Sequence, residues 1–441
     1  MLTRQSMRLP QPAILALIYA IWVLVGASLL MLPLSTVSQI RWSDALFTAT
    51  SAVTVTGLSV VDTGSAFTTF GQGVILLLVQ LGGMGLMTFA VIIMSSIGLR
   101  VGLSERQYLR EEMGLQTLGG TLSVAWMIFR IVVACELLGA AILCFEFVPE
   151  FGWKHGSWQA LFHSISAFNN AGFSLFSNSM MNYVDSPVVM LTLSAQFIIG
   201  GLGFLVVTDL LIQRKWRKVS LHTHLMLIGT LGLCIASLLV YGLLEWNNPN
   251  TLGGLDNNHS RVLALWFEAM TPRTAGFNSL DTSELYESTT LFTMILMIIG
   301  GGSTSTAGGI KVTTFVLLIL ATVAFFRSSG SIRAFGHSVG QQQALKVMAL
   351  LTVSVFLMSV SLFLLLATQD GRFLDFAFEV CSAFGTVGLS LGVTGELDNT
   401  GRSIICAVMF LGRVGPLTLG VFLANKIPPK VKYPEGEVYL G

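Results

Sequence analysis

Long apolar runs alternate with short amphipathic ones along the chain. The long runs fall near 13–32, 69–98, 121–148, 187–212, 223–244, 288–326, 345–367 and 402–424. A helix rising about 1.5 Å per residue crosses a hydrocarbon core of roughly 30 Å in about 20 residues, so each run can span a bilayer. Four shorter stretches lie between them: Ser43 to Ser59, Trp158 to Ser174, Arg261 to Asn278, and Phe373 to Ser390. Each reads as a helix of about ten residues, too short to cross, that ends in a polar loop.

The four stretches share one plan. Anchored on Gly57, Gly172, Gly276 and Gly388, each has an aromatic ten residues earlier (Phe47, Phe162, Trp266, Phe378). Each glycine is followed by Leu or Phe (Leu58, Phe173, Phe277, Leu389) and then by Ser or Asn (Ser59, Ser174, Asn278, Ser390). The copies are 104 to 115 residues apart, which signals a fourfold internal repeat. The pattern predicts an all-α polytopic membrane protein with eight transmembrane spans. Four helix–pore helix–helix repeats, with boundaries at 1–105, 106–218, 219–338 and 339–426, surround one central pore, and residues 427–441 form a tail. Short helices inside a bilayer must be re-entrant, because irregular backbone at that depth has to be buried in protein or line a wet cavity.

Composition agrees with this. Of 441 residues 53% are hydrophobic and 11% charged, with a mean hydropathy of +0.75, against about 25% charged in soluble domains. A large soluble domain is excluded. The net charge of +1 carries no nucleic-acid signal. Cys135, Cys144, Cys234, Cys381 and Cys406 form no CxxC pair and read as core residues, without a disulfide frame or metal site. Ala13 to Leu32 exceeds a signal-peptide core and reads as a retained helix.

Charge sets the orientation. Arg4, Arg8, Arg100, Arg106, Arg110, Arg214, Lys215, Arg217, Lys218, Arg327, Arg333, Lys346, Lys426, Lys430 and Lys432 lie at the termini or between units. Only Arg41, Lys154, Arg261, Arg372 and Arg402 lie on the other side. The positive-inside rule therefore predicts cytoplasmic termini, with the glycine loops entering from outside. Acids including Asp44, Asp62, Asp281, Asp375 and Asp398 share that outer side, where they can draw cations or serve as ordinary solvated loop residues.

The second long helix of each unit carries glycine 24 to 28 residues after the loop glycine: Gly82-Gly83-Met-Gly85, Gly200-Gly201-Leu-Gly203, Gly300 to Gly309, and Gly412-Arg-Val-Gly415. In the first two runs close helix packing is as good a reading as a functional one. The third run, Gly300-Gly301-Gly302-Ser303-Thr304-Ser305-Thr306-Ala307-Gly308-Gly309, is too rich in glycine and hydroxyls to propagate a helix, at ~1 kcal/mol per Gly against Ala. It predicts a helix broken by an intramembrane loop. Lys311 follows that loop and Arg413 lies mid-span. A charge at membrane depth is a functional hypothesis by default; for Lys311, snorkelling or pairing with loop carbonyls is the bland alternative. Arg130 is expected to snorkel or to pair with Glu136. Arg273 is expected to point behind its loop towards an acid such as Glu268 or Glu379.

Four re-entrant loops can surround one axis. Val55-Thr56-Gly57, Asn170-Ala171-Gly172, Thr274-Ala275-Gly276 and Thr386-Val387-Gly388 place small or aliphatic residues beside each glycine. Glycine admits backbone angles that aim carbonyls one way, and rings of carbonyls replace the hydration shell of potassium. No carboxylate stands at these positions. They form the candidate potassium filter, and Gly300 to Gly309 with Lys311 and Arg413 form the candidate gate.

At these residues the chain resembles the Trk, Ktr and HKT superfamily of potassium transporters over its whole length. Within it the bacterial Ktr membrane subunit is the best likeness. Thr54 to Leu58, Ala167 to Ser174, Thr271 to Asn278 and Ser382 to Leu389 resemble that subunit's filter loops, and Tyr433 to Val438 resembles its C-terminus. The resemblance implies filter glycines at 57, 172, 276 and 388, an intramembrane gating loop at 300–309, and Arg413 acting with that loop as a cation barrier. It further implies residence in the bacterial cytoplasmic membrane among its lipids, a homodimer, and a cytosolic regulatory ring subunit that binds ATP and ADP. This chain then needs no tightly bound cofactor: potassium is substrate and sodium a possible activator.

A sodium-coupled secondary transporter of another solute also uses broken helices, but its repeats are usually few and often inverted. An intramembrane enzyme finds no support. His155, His163, His222, His224, His259 and His337 form no HExxH, and no nucleophile, base and orienting group converge by spacing.

Overall fold

The amphipathic stretches fold as helices that stop at their polar loops. The computed structural model describes residues 11–97, 121–213, 215–329 and 331–415, together with Gly102 and Leu109. The tail 427–441, the end of the expected last span, and Arg4, Arg8, Arg100, Arg106, Arg110, Arg214, Lys426, Lys430 and Lys432 lie outside the described residues. The first unit comprises α1 (Gln11–Leu30), the short α2 (Trp42–Thr54), α3 (Thr69–Met84) and α4 (Leu86–Ser96). In the second, α5 (Thr121–Phe168) is followed by α6 (Pro187–Leu202) and α7 (Phe204–Gln213). The third has α8 (Leu221–Glu245), the short α9 (Asn258–Met270), α10 (Glu287–Ile298) and α11 (Val312–Phe326). A two-stranded hairpin, β1 (Ile332–Ala334) and β2 (His337–Val339), precedes the fourth: α12 (Gln341–Thr368), the short α13 (Phe373–Gly385) and α14 (Asn399–Val414).

Local chemistry sets these boundaries. α5 is two helices joined at Gly152, whose φ of 77° is left-handed, so an entering span and a short helix meet there. Hydroxyls and carboxylates cap the N-terminal ends of the later helices. Thr68 accepts from the Gly71 N–H, Ser186 from Val189 and Asp398 from Gly401. α5, α8 and most of α12 are each long and apolar enough to cross a membrane, while α6 and α7 are bent by 91° at Gly203.

The break expected in the third unit is present, between Ile298 and Val312. The other units use the same device. Gly85 separates α3 from α4 at φ 87°, Gly203 separates α6 from α7 at φ 97°, and Gly415 closes α14 at φ 92°. Their φ favours glycine, because an L side chain there crowds the following carbonyl. The neighbouring glycines do serve packing. A side chain on Gly82, Gly200 or Gly412 would strike the carbonyl of Val53, Phe168 or Phe384 at the end of its own unit's short helix.

The units close on one another. α3 packs on α5, α6 on α9, α10 on α13, and α14 returns to α2. The aromatics Phe47, Phe162 and Phe378 are fully buried. Trp266 is half-buried and donates its indole N–H to Ser194 Oγ at 3.0 Å. Leu58, Phe173, Phe277 and Leu389, each one residue past its loop glycine, are all buried.

Candidate functional site

In each unit the backbone turns left-handed two residues before the loop glycine. Val55, Asn170, Thr274 and Thr386 have φ of 57°, 56°, 74° and 51°, and the glycines have φ of 91°, 68°, 76° and 98°. Three of those four non-glycine residues are β-branched, for which positive φ is a genuine outlier. A left-handed non-glycine residue at the same position in all four units shows that the loops share one backbone geometry.

A hydroxyl near the end of each short helix, or just past it in the third unit, holds the loop. Ser51 Oγ accepts from the Gly57 N–H at 3.0 Å, and Ser382 Oγ from the Gly388 N–H at 3.1 Å. Ser166 donates to the Phe173 carbonyl at 2.7 Å and Thr271 to the Phe277 carbonyl at 2.5 Å. The sequence reading missed these four residues, although their spacing of five or six before the glycine was visible.

The four glycines meet. A Cβ on Gly57 would lie 3.0 Å from Gly172 Cα and 2.5 Å from the Ala171 carbonyl oxygen. One on Gly172 would lie 2.9 Å from Gly276 Cα, and one on Gly388 3.1 Å from Gly57 Cα. On Gly276 it would strike the Val387 carbonyl oxygen, and on Gly388 that of Thr56. Thus Thr56, Ala171, Ala275 and Val387 each present a carbonyl to the neighbouring glycine, and a side chain on any of the four would disturb the ring. Above it lies a cavity of about 290 Å³ lined by all four glycines with Ser59, Asp62, Ser174, Asn278 and Asp281. Asp62 and Asp281 are therefore mouth residues. Asp44 and Asp375 are instead engaged by Arg41, Arg402 and Arg372.

Below the ring the loop of residues 299–311 crosses the interior. It is pinned at both ends: Gly300 N–H donates to Ile310 O at 2.8 Å, and Val312 N–H to Gly301 O at 3.1 Å. It also joins the second unit, with Gly302 N–H on Gly201 O at 2.7 Å and Phe204 N–H on Thr304 O at 3.1 Å. Ser305 Oγ donates to Gly302 O, and Ser303 Oγ lies 3.4 Å from Thr313 Oγ1. Lys311 Nζ donates to the Ala307 carbonyl at 2.6 Å and the Gly308 carbonyl at 3.4 Å. This is the carbonyl pairing that stood as the bland alternative for Lys311. Arg413 donates to the carbonyls of Thr306 and Gly82. Loop and arginine, 107 residues apart, thus meet beside a cavity of about 150 Å³ that both line.

The loop touches the ring directly. Thr306 Oγ1 donates to Asn170 Oδ1 at 2.8 Å, and Asn170 Nδ2 donates to Thr274 Oγ1 at 3.3 Å. A Cβ on Gly308 would lie 2.7 Å from Thr386 Cγ2, and one on Gly309 3.3 Å from Gly385 Cα. No local pattern announces these contacts.

Arg273 does not meet the acid expected for it, and Arg130 takes the exposed position open to a snorkelling side chain rather than pairing with Glu136. Arg273 does point behind its loop, but its guanidinium donates to Thr230 O at 3.4 Å and Cys234 Sγ at 2.9 Å, and its Nε has no partner. Glu268 and Glu379 instead accept from their own returning loops. Arg130 is exposed, and Glu136 accepts from Asn169 at 2.9 Å and Gln80 at 3.3 Å. In both cases neutral partners stand in for the opposite charge: a carbonyl and a thiol on α8 accept from Arg273, and two side-chain amides donate to Glu136.

Comparison with known proteins shows the family and the fold. Residues 16–432 match the family model TrkH, described as a cation transport protein. The chain is 45% identical to the Ktr system potassium uptake protein B of Bacillus subtilis (strain 168), over 98% of this chain and 97% of that one. It is 35% identical to the potassium/sodium uptake protein NtpJ of Enterococcus hirae, over 99% of each. The fold is that of the potassium transporter TrkH from Vibrio parahaemolyticus, with a TM-score of 0.74, 19% identity, and coverage of 96% of this chain and 86% of that one.

Proposed function

The chain belongs to the TrkH family of cation transport proteins, and from that premise we propose that it carries potassium into the cell through the ring of glycine loops. The observation that carries this reading is the mutual contact of Gly57, Gly172, Gly276 and Gly388 beneath one shared mouth. Carbonyls of residues 55–57, 170–172, 274–276 and 386–388 replace the hydration shell of the ion. The four units of residues 1–105, 106–218, 219–338 and 339–426 each supply one loop, eight spans cross the bacterial cytoplasmic membrane, and the termini face the cytoplasm.

The loop of residues 300–309, Lys311 and Arg413 close the path below the ring. Support comes from the bonds that join Arg413 to the loop and the loop to Asn170. A guanidinium repels a cation by about 4 kcal/mol at roughly 4 Å for an effective dielectric near 20. Opening then requires the loop to leave Arg413 and Gly201. A cytosolic ring subunit that binds ATP and ADP drives that motion in a homodimer of this chain, and sodium stimulates uptake.

The test is rubidium uptake in cells lacking their own potassium uptake, with and without sodium and a nucleotide-binding ring subunit. Saturable rubidium uptake that rises with both is expected. Sodium-driven uptake of an organic solute with no rubidium uptake would instead establish a coupled secondary transporter.

A further inference from the structure

In each unit a polar residue stands three positions before the loop-holding hydroxyl. These are Thr48, His163, Glu268 and Glu379, before Ser51, Ser166, Thr271 and Ser382. Eleven residues further on, each unit has a serine beyond its glycine: Ser59, Ser174, Ser279 and Ser390. In three units the structure joins the pair. His163 Nε2 lies 3.1 Å from Ser174 Oγ and accepts from the Leu175 N–H at 3.2 Å. Glu268 Oε1 accepts from the Ser279 N–H at 2.6 Å, Ser279 Oγ at 3.0 Å and the Leu280 N–H at 3.0 Å. Glu379 accepts from Ser390 Oγ at 2.9 Å and Thr394 Oγ1 at 2.5 Å. In the first unit Thr48 is too short to reach, and its hydroxyl donates back to Asp44 O.

Glu268 and Glu379 are buried, and among the described residues no basic side chain forms an ion pair with either. A buried carboxylate without a cation is costly unless several donors satisfy it. Among the described residues every donor belongs to the limb that follows the loop glycine, so the donors that satisfy the acid also fix that limb. We propose that Glu268 and Glu379 are positioning residues for cation preference: each ties the outer limb of its glycine loop to the short helix and so holds the ring carbonyls of loops three and four at a fixed spacing. This rests on the reading of the ring as the filter. Neither residue reaches the ion. Each acts through Ser279 and Leu280, or through Ser390 and Thr394.

The experiment compares half-saturation for rubidium and for sodium in full-length protein with Glu268→Ala, Glu268→Gln, Glu379→Ala and Glu379→Gln, using Gly276→Ser as reference. Glutamine keeps an acceptor oxygen and the length of the side chain. The alanine variants should lower the rubidium-over-sodium preference about tenfold or more, since Glu268→Ala loses three hydrogen bonds to the acid and Glu379→Ala two. Maximal uptake should stay near wild type, and the glutamine variants should keep the wild-type preference. Ser390→Ala, which removes one partner and leaves the acid, should shift the preference the same way by less, and it serves if an alanine variant at 379 fails to insert. A shifted Gly276→Ser beside unshifted Glu268→Ala, Glu379→Ala and Ser390→Ala would overturn the positioning role and leave the filter standing. Glutamine variants as impaired as alanine would overturn it in favour of a charge effect. An unshifted Gly276→Ser would remove the filter, and this proposal with it.

Discussion

Arg413 shows how much a single residue can be asked to do. Its guanidinium is bonded to the Thr306 carbonyl of the intramembrane loop and to the Gly82 carbonyl of the first unit. Arg413→Ala removes both the bonds and the charge. Maximal rubidium uptake should rise several-fold, within the range that a barrier of about 4 kcal/mol allows, and selectivity should stay close to wild type. A fall in uptake by properly inserted protein would make the residue a support of the fold. The arginine and the four glycines were legible in the sequence, because a charge in an apolar span and a fourfold spacing are local signals. The partners of Arg273 were not. Thr230 and Cys234 lie some forty residues away on α8, and only helix packing decides that they stand nearer than Glu268. Glu268 in turn is satisfied by Ser279 and Leu280 of its own loop.

At the level of elements, the short helices were readable because each ends at a glycine and carries an aromatic at a fixed distance. The broken second helices were readable only in the third unit, where five glycines crowd ten positions. Gly85 and Gly203 break their helices with one glycine each, at φ 87° and 97°, and nothing in the sequence separates them from Gly82 and Gly200, which serve packing. The distinction has a consequence. Gly85→Ala or Gly203→Ala forces an L residue to positive φ and should cost about 1–3 kcal/mol, and at Gly203 the methyl also meets the Ser303 carbonyl oxygen at 2.6 Å. Gly82→Ala, at an ordinary helical φ, drives a methyl into the Val53 carbonyl and should cost about 1–3 kcal/mol or above. Thermal unfolding of the three purified variants in detergent checks these losses, and a Gly82 variant as stable as wild type would contradict the packing role. Shortening the loop between Thr304 and Gly308 should act like Arg413→Ala: higher maximal uptake and weaker dependence on the ring subunit.

The whole molecule closes where α14 returns to α2. The seam is held by Arg402, buried, whose guanidinium reaches Asp44 Oδ1 at 2.5 Å across 358 residues of sequence, while Arg41 engages the same carboxylate at 3.2 Å. Breaking a buried pair on one side strands the other charge, so Asp44→Ala should destabilise the fold by about 3–5 kcal/mol. The double variant with Arg402→Met should recover part of that loss in the same unfolding measurement. Asp44 and Arg402 each stand in a copy of the repeat, yet the repeat alone does not show that the last unit closes on the first. That closure is what brings Gly388 against Gly57 and turns four loops into a ring. The claim that this ring selects the ion is tested most directly by measuring rubidium and sodium uptake side by side in Gly57→Ser and Gly276→Ser. Both variants should lose most of the preference for rubidium, because a side chain on either glycine strikes a neighbouring loop's carbonyl. Well-expressed protein with wild-type kinetics for both ions in both variants would contradict the account.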